Sequence, residues 1–187
     1  MSPAQRIDKA DIVSAAFDVL DNEGIDKLTM RNLASRLGVQ AAALYYHVGG
    51  RGDLLRLVSE QVVAEATAGV DGAREWRALC TDVCTRLRET LRAHPGAAHI
   101  VAVQEVSPEA FERFVPLVLT SFHTGLDIDD ADALYLMQSL YVLVTGLGLA
   151  EFGDAPAPPA AARAYYDAWF TLSVETFLDG ILHRYRR

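Results

Sequence analysis

The sequence predicts an all-α protein, three short helices followed by a larger helical body. Three observations lead there. Apolar residues recur mostly at i, i+3 and i+4, Val and Ile are not gathered into alternating runs, and the dipeptides that mark hairpin turns are scarce. With 187 residues, 51% hydrophobic and 22% charged, the chain can bury one long core or two short ones, and global disorder is not expected.

The first helix is expected over residues 9–22, where Ile12, Ala15, Ala16, Val19 and Leu20 form one stripe and Gly24 supplies the stop. Thr29 opens a short second helix. Its hydroxyl is placed to cap the free amide of Arg31 or Asn32, while Leu33, Ala34 and Leu37 turn inward. Gly38 ends that helix, Val39 is the apolar residue of the turn, and residues 40–47 make a third helix of two turns. Residues 49–52, rich in Gly, break the pattern. A longer fourth helix, residues 53–67, carries Leu54, Leu55, Val58, Gln61, Val62 and Glu65 on one stripe and connects the two halves of the chain. The fifth, residues 75–93, turns Trp76, Cys80, Val83, Cys84, Leu87 and Leu91 inward and stops at His94-Pro95. Residues 96–105 form a short apolar helix. Ser107-Pro108 reads as a cap with proline at the first position of a helix that reaches His123 before Gly125.

Asp129 or Asp130 opens a helix over residues 131–152 that is apolar nearly all round, so its side chains cannot all face one core. After a loop rich in Pro and Ala at 153–159, the last helix, residues 160–184, spreads Tyr166, Trp169, Phe170, Leu172, Val174, Phe177 and Leu178 widely around its axis. Pairing these two helices with those of a second copy makes a four-helix bundle about a two-fold axis. A homodimer is therefore expected, with Leu136, Leu140, Leu143, Leu147, Leu172, Phe177 and Leu178 in its interface. The alternative is that the chain's own helices cover both faces. The most apolar stretch, residues 134–149, is interrupted by Gln138, Ser139 and Thr145 and is shorter than the roughly 20 residues of a membrane span. It reads as a buried helix, and no membrane partner is expected.

The net charge of −8 argues against nonspecific adhesion to DNA, so any nucleic-acid site must be a local basic patch. Cys80 and Cys84 lie four apart on one helix, a spacing unsuited to a relaxed disulfide and short of a zinc site without nearby histidines; a core role is expected for both. His94, His99 and His123 have no metal-ligand spacing, and no metal or cofactor is expected. The N-terminus, MSPAQRIDKAD, has no apolar segment of the signal-peptide kind, which points to the cytoplasm.

Residues 29–48, TMRNLASRLGVQAAALYYHV, combine a capped helix, a Gly turn and a second short helix at helix-turn-helix spacing. With KADIVSAAFDVLDNEGIDKL before it and GGRGDLL after it, this run resembles the tetracycline-repressor (TetR) family, most specifically through Leu44-Tyr45-Tyr46-His47-Val48. Trp76, His94-Pro95, Gly125 and Phe177-Leu178-Asp179-Gly180 extend the likeness more loosely. The resemblance implies a helix-turn-helix domain over residues 1–50 and a helical effector-binding and dimerisation domain over 51–187. It implies a transcriptional regulator that binds double-stranded operator DNA, with repression relieved by a small-molecule effector whose identity the sequence does not reveal.

The residue roles follow position by position. Thr29 matches a position where hydroxyl and amide meet a phosphate. Arg31 matches one that reaches bases, and its guanidinium suits guanine O6 and N7. Gln40 suits adenine, while Ala41, Ala42 and Ala43 offer only methyl contacts. Tyr45, Tyr46 and His47 match positions near phosphate or groove edges, and Arg51 stands where a phosphate-binding Lys is usual. The Ala triplet departs from relatives that carry polar side chains there, and Gly52 stands where a better helix former is usual. Arg36 and Lys27 either extend the positive edge or are solvated surface charges. Pocket candidates in the body are Gln61, Trp76, Cys84, His99, Gln104, Phe114, Phe122, Gln138, Tyr141 and Trp169, large apolar surfaces with a few polar handles. The chain carries no nucleophile elbow, Gly-rich phosphate loop, metal motif or fixed acid-base pair, so an enzyme is not expected. The remaining rival is a helical homodimer with an interaction role and no DNA binding.

Overall fold

The computed structural model describes residues 7–104 and 106–186, and among these it contains helices and no strand. The N-terminal segment read above as lacking an export signal begins with residues 1–6, which lie outside the described residues, as does Glu105 at the end of the expected short helix.

Local chemistry sets the ends of the first helices. Asp8 and Asp11 form a reciprocal capping box at the start of α1 (Lys9–Glu23), each carboxylate accepting from the other's backbone amide at 2.9 and 3.0 Å. Gly24, at φ +84°, ends the helix in a conformation that favours glycine, and a single 3-10 turn, Ile25–Lys27, follows. Thr29 caps α2 (Met30–Arg36), its hydroxyl oxygen accepting from the Asn32 amide at 3.1 Å, and Gly38 turns the chain at φ +68°. The third helix, α3 (Ala41–Tyr45), is shorter than the expected 40–47: Gln40 is its N-terminal cap and Tyr46 already its C-terminal one. Leu28, Leu33 and Leu44 are fully buried between α2, α3 and α1, which contributes Ile12, Ala16, Val19 and Leu20. α4 (Arg51–Thr67) begins two residues earlier than expected, with Gly52 inside its first turn, and buries Leu54, Val58, Ser59, Val62, Val63 and Ala66. Gln61 and Glu65, placed on its inward stripe from sequence, are exposed and hydrogen-bonded to one another.

The body consists of α5 (Trp76–Ala93), α6 (Ala98–Val103), α7 (Val115–Gly125), α8 (Asp130–Phe152) and α9 (Arg163–Tyr185). Glu75 caps α5, and Asp129 caps α8 by accepting from the Asp132 amide at 2.8 Å. The single helix expected after Ser107 is broken. Pro108–Phe111 is a 3-10 turn without a side-chain cap, and α7 restarts at Val115 with Pro116 in its first turn, where the missing N–H costs nothing. α4 lies along α5, and α8 packs on α5, α6, α7 and α9. One buried cluster runs from Ile12 and Leu20 of α1 through Leu54 and Val62 of α4 to Leu178 and Ile181 of α9.

A charged network threads this body. Arg88 of α5, 6% exposed, donates from Nε to Glu151 of α8 at 2.8 Å, and its Nη2 lies 2.9 Å from Asp167 of α9 without hydrogen-bond alignment. Arg92 also reaches Glu151, at 3.2 Å. A charged side chain amid apolar neighbours of α5 was not expected, and it is sustained because Glu151 is buried beside it.

Of the residues expected in the dimer interface, two are buried within the protomer and one is exposed. Leu140 and Leu178 are buried within the protomer, at 5% and 1% exposure, and Leu136, Leu147 and Phe177 are half-buried against the same core. Leu143 is half-buried and Leu172 is exposed. The outer surface of α8 and α9 instead carries Leu134, Tyr135, Val142, Tyr165, Trp169, Leu172 and Leu182. Circumferential hydrophobicity reveals excess apolar surface but not which side the neighbouring helices occupy. The reading of residues 134–149 as a buried stretch too short for a membrane span is corrected: they lie within α8, which at 23 residues is by length and composition long and apolar enough to cross a membrane, and 28% of its most apolar window is buried.

Candidate nucleic-acid interface and ligand cavity

The two short helices α2 and α3 and their caps expose Thr29, Arg31, Gln40, Ala42, Tyr45 and Tyr46, whereas Leu33, Ala34 and Leu44 are buried in the core that α1 shares. Tyr46 is 89% exposed and Tyr45 54%, which a half-buried core aromatic would not be. The Thr29 oxygen accepts the Asn32 amide and leaves its hydroxyl hydrogen to donate outward. His47 is half-buried edge-on to Tyr46, ring centroids 5.3 Å apart. Ala41 and Ala43 pack partly against the core, so Ala42 is the alanine that faces outward.

The expected contact Arg51 and the alternative basic residue Arg36 both have partners within the protein. Arg51 donates from Nε to the Leu28 carbonyl at 3.2 Å and from Nη2 to the Ile25 carbonyl at 3.3 Å, tying α4 to the turn before α2. Arg36 forms an ion pair with Glu23, so it is less available to a positive edge. Glu23 also accepts from Asn32 at 3.1 Å, and these hydrogen bonds, from Asn32 and then Arg36, hold its carboxyl below the ordinary range. Glu23 and Asn32, which brace α2 against the end of α1, were missed; they are nine residues apart, and no helical spacing links them.

A second missed cluster joins the first three helices to the body. Asp21 of α1 accepts from the Gly96 amide at 2.9 Å and lies 3.2 Å from His94 Nδ1, and the His94 ring stacks on Phe17 with centroids 4.0 Å apart. A Cβ at Gly96 would sit 2.4 Å from the Leu20 backbone, so only glycine lets the turn after α5 approach α1 this closely. Across the same turn, His94 Nε2 is 3.9 Å from Glu65 of α4.

Inside the body, α4, α5, α7, α8 and the turn before α7 enclose a cavity of about 580 Å³, its mouth on solvent included. Of the expected pocket residues, Cys84, Phe114, Phe122 and Tyr141 line it. The other six do not. Gln61, His99, Gln138 and Trp169 are exposed, Gln104 is half-buried outside it, and Trp76 is buried behind Phe122 with ring centroids 6.0 Å apart. The polar candidates fail together because α4, α6 and α8 turn their polar faces outward. Cys80 and Cys84 are free and buried, and both line the cavity, so the core role expected for them is a lining one. Burial pushes the Cys80 thiol up and the Cys84 thiol up to about 12, and raises the Tyr141 hydroxyl to about 12.

This geometry accords with comparisons to known proteins. Residues 12–58 match the family model described as bacterial regulatory proteins, tetR family. An HTH-type transcriptional regulator of Saccharopolyspora erythraea is 37% identical over 103 residues, 54% of this chain and 44% of that protein, so the match spans less than half of the relative. BioQ of Mycobacterium smegmatis superposes with a TM-score of 0.77 at 26% identity, covering 94% of this chain and 98% of that one. The BioQ structure with its double-stranded DNA operator gives 0.73 at the same identity and coverage. ActR of Streptomyces coelicolor, in complex with (S)-DNPA, gives 0.75 at 26% identity, covering 95% and 98%. The sequence motif, the three-helix head and the helical body agree in one likeness: residues 12–58 match the tetR family model, and the described fold superposes on solved TetR family proteins such as ActR.

Proposed function

We propose that the protein is a sequence-specific, dimeric DNA-binding regulator of transcription, a repressor that a small-molecule effector releases from its operator. The observation that carries this is the exposed set on α2, α3 and their caps: a capping hydroxyl, a guanidinium with no partner among the described residues, a carboxamide and two exposed tyrosines. Packing does not require these groups to be exposed together on two short helices. Residues 1–50 form the reading head and 51–187 the effector-binding and dimerisation body. Arg31 and Gln40 read bases, with Ala41, Ala42 and Ala43 limited to methyl contacts, and Thr29, Tyr45, Tyr46, His47 and Arg51 orient the head on the backbone. The protein acts in the cytoplasm by binding and not by catalysis.

The exposed apolar surface of α8 and α9 supports the dimer, since a second copy of the same two helices buries it. Two heads then meet half-sites spaced by a helical turn or its multiples. The cavity supplies the effector site. Val63, Ala66 and Thr67 of α4 form part of its wall, and the other end of α4 is tied to the head through Arg51. A ligand that prefers a different placement of α4 changes the spacing of the heads. BioQ with operator DNA and ActR with (S)-DNPA are precedents for the two ligand types in similar folds.

Selection of bound sequences from random double-stranded DNA tests the reading without knowledge of promoter or effector. Enrichment of a near-palindrome is expected; absence of enrichment across a range of salt overturns DNA recognition in favour of the interaction dimer.

A further inference from the structure

The cavity's chemistry restricts what it can hold. Among the described residues, none of those lining it carries a charge. Its polar handles are few and mostly engaged: Thr67 Oγ1 donates to the Val63 carbonyl at 2.8 Å, and the Tyr141 hydroxyl donates to the Val101 carbonyl at 3.4 Å. Cys80 and Cys84 present protonated thiols, which are weak donors. The rest of the wall is aliphatic or aromatic, including Leu140, Phe114 and Phe122. An ion entering this space loses its hydration and gains no opposing charge, whereas a neutral apolar molecule gains dispersion contacts and leaves water.

We propose that the cavity takes a neutral, predominantly apolar molecule and discriminates against the ionised form of the same skeleton. This rests on the reading of the body as an effector domain and specifies the class of effector: an uncharged hydrophobic metabolite or xenobiotic with at most one or two hydrogen-bonding groups. Specificity comes from shape, because the wall offers no fixed ion pair to orient a ligand. A carboxylate or a cation is excluded by the same walls that hold the neutral ligand.

The test uses the full chain and two compounds of one skeleton, 2-naphthalenemethanol and 2-naphthoate, titrated calorimetrically at pH 7 and followed by thermal melting. The alcohol is expected to bind at least tenfold more tightly, equivalent to about 1.4 kcal/mol, and to raise the melting temperature. Equal affinities, tighter binding of naphthoate, or no binding of either overturns the proposal. Two further readouts locate the site. Val83→Phe, which fills the cavity wall, is expected to weaken the alcohol at least tenfold. In the unaltered chain, which does not depend on that variant folding, the alcohol is expected to slow N-ethylmaleimide modification of Cys80 and Cys84. Binding that leaves thiol reactivity unchanged overturns the assignment to this cavity. The DNA selection is scored separately: enrichment with failed discrimination rejects the ligand class alone, and discrimination without enrichment rejects the regulator reading alone.

Discussion

At the scale of single residues, the two arginines at the head have different surroundings and therefore different expected phenotypes. Arg31 is exposed and makes no ion pair or side-chain hydrogen bond among the described residues, so its fork is open to a base edge. Arg31→Ala is expected to cost about 1–3 kcal/mol of operator affinity and to relax preference at one base position. Titration against operators varied at each position checks it, and intact preference refutes the readout role. Arg51 is different, because two of its donor atoms hold the Ile25 and Leu28 carbonyls. Arg51→Ala is expected to lower head stability by about 1 kcal/mol and, if the remaining N–H groups meet phosphate, to reduce the salt slope of DNA binding by about 1. Denaturant melts and salt titrations separate these effects; a stability loss with an unchanged slope makes Arg51 purely a scaffold. The Thr29 cap was legible in sequence because its partner lies three residues away. The Arg51 tie spans 23 and 26 residues, and no local rule predicts it.

Among elements, the join between α1 and the turn after α5 is where the head meets the body. Asp21, His94 and Phe17 stack and bond there, and Gly96 permits the approach. Gly96→Ala is expected to destabilise the fold by about 1–3 kcal/mol through overlap with the rigid Leu20 backbone, and to loosen the head relative to the body. Chemical denaturation gives the first effect. Amide exchange at residues 17–21 gives the second, and unchanged protection there refutes a coupling role for the turn. The helices themselves were largely legible from 3.6-residue periodicity and caps, as α1, α5 and α8 illustrate. The start of α7 was not, because Ser107-Pro108 and Pro116 both satisfy the rules for a helix start, and packing selects between them.

For the whole molecule, the decisive feature is apolar surface left on α8 and α9. Leu172→Glu is expected to shift the protein from a dimer to a species of 20.4 kDa and to abolish cooperative binding to a two-half-site operator while leaving the far-UV helical signal intact. Sedimentation at micromolar concentration reads the first outcome. A variant that remains dimeric moves the interface away from this face. Leu172 is suited to the test because it is 67% exposed in the protomer and contributes little to its core.

The sequence by itself determined the helical class, the order of most helices, and the spacing of the helix-turn-helix, because these depend on neighbours within about four residues. It also showed that α8 and α9 carry more apolar side chains than one core needs. Only the tertiary structure decided which side of each helix is covered, and so placed Leu140 in the cavity wall, Leu178 in the core and Trp169 outside. The same holds for Arg88 with Glu151 and for Asp21 with Gly96. These pairs join residues 63 and 75 positions apart, and their meeting depends on how whole helices pack, which no local spacing encodes.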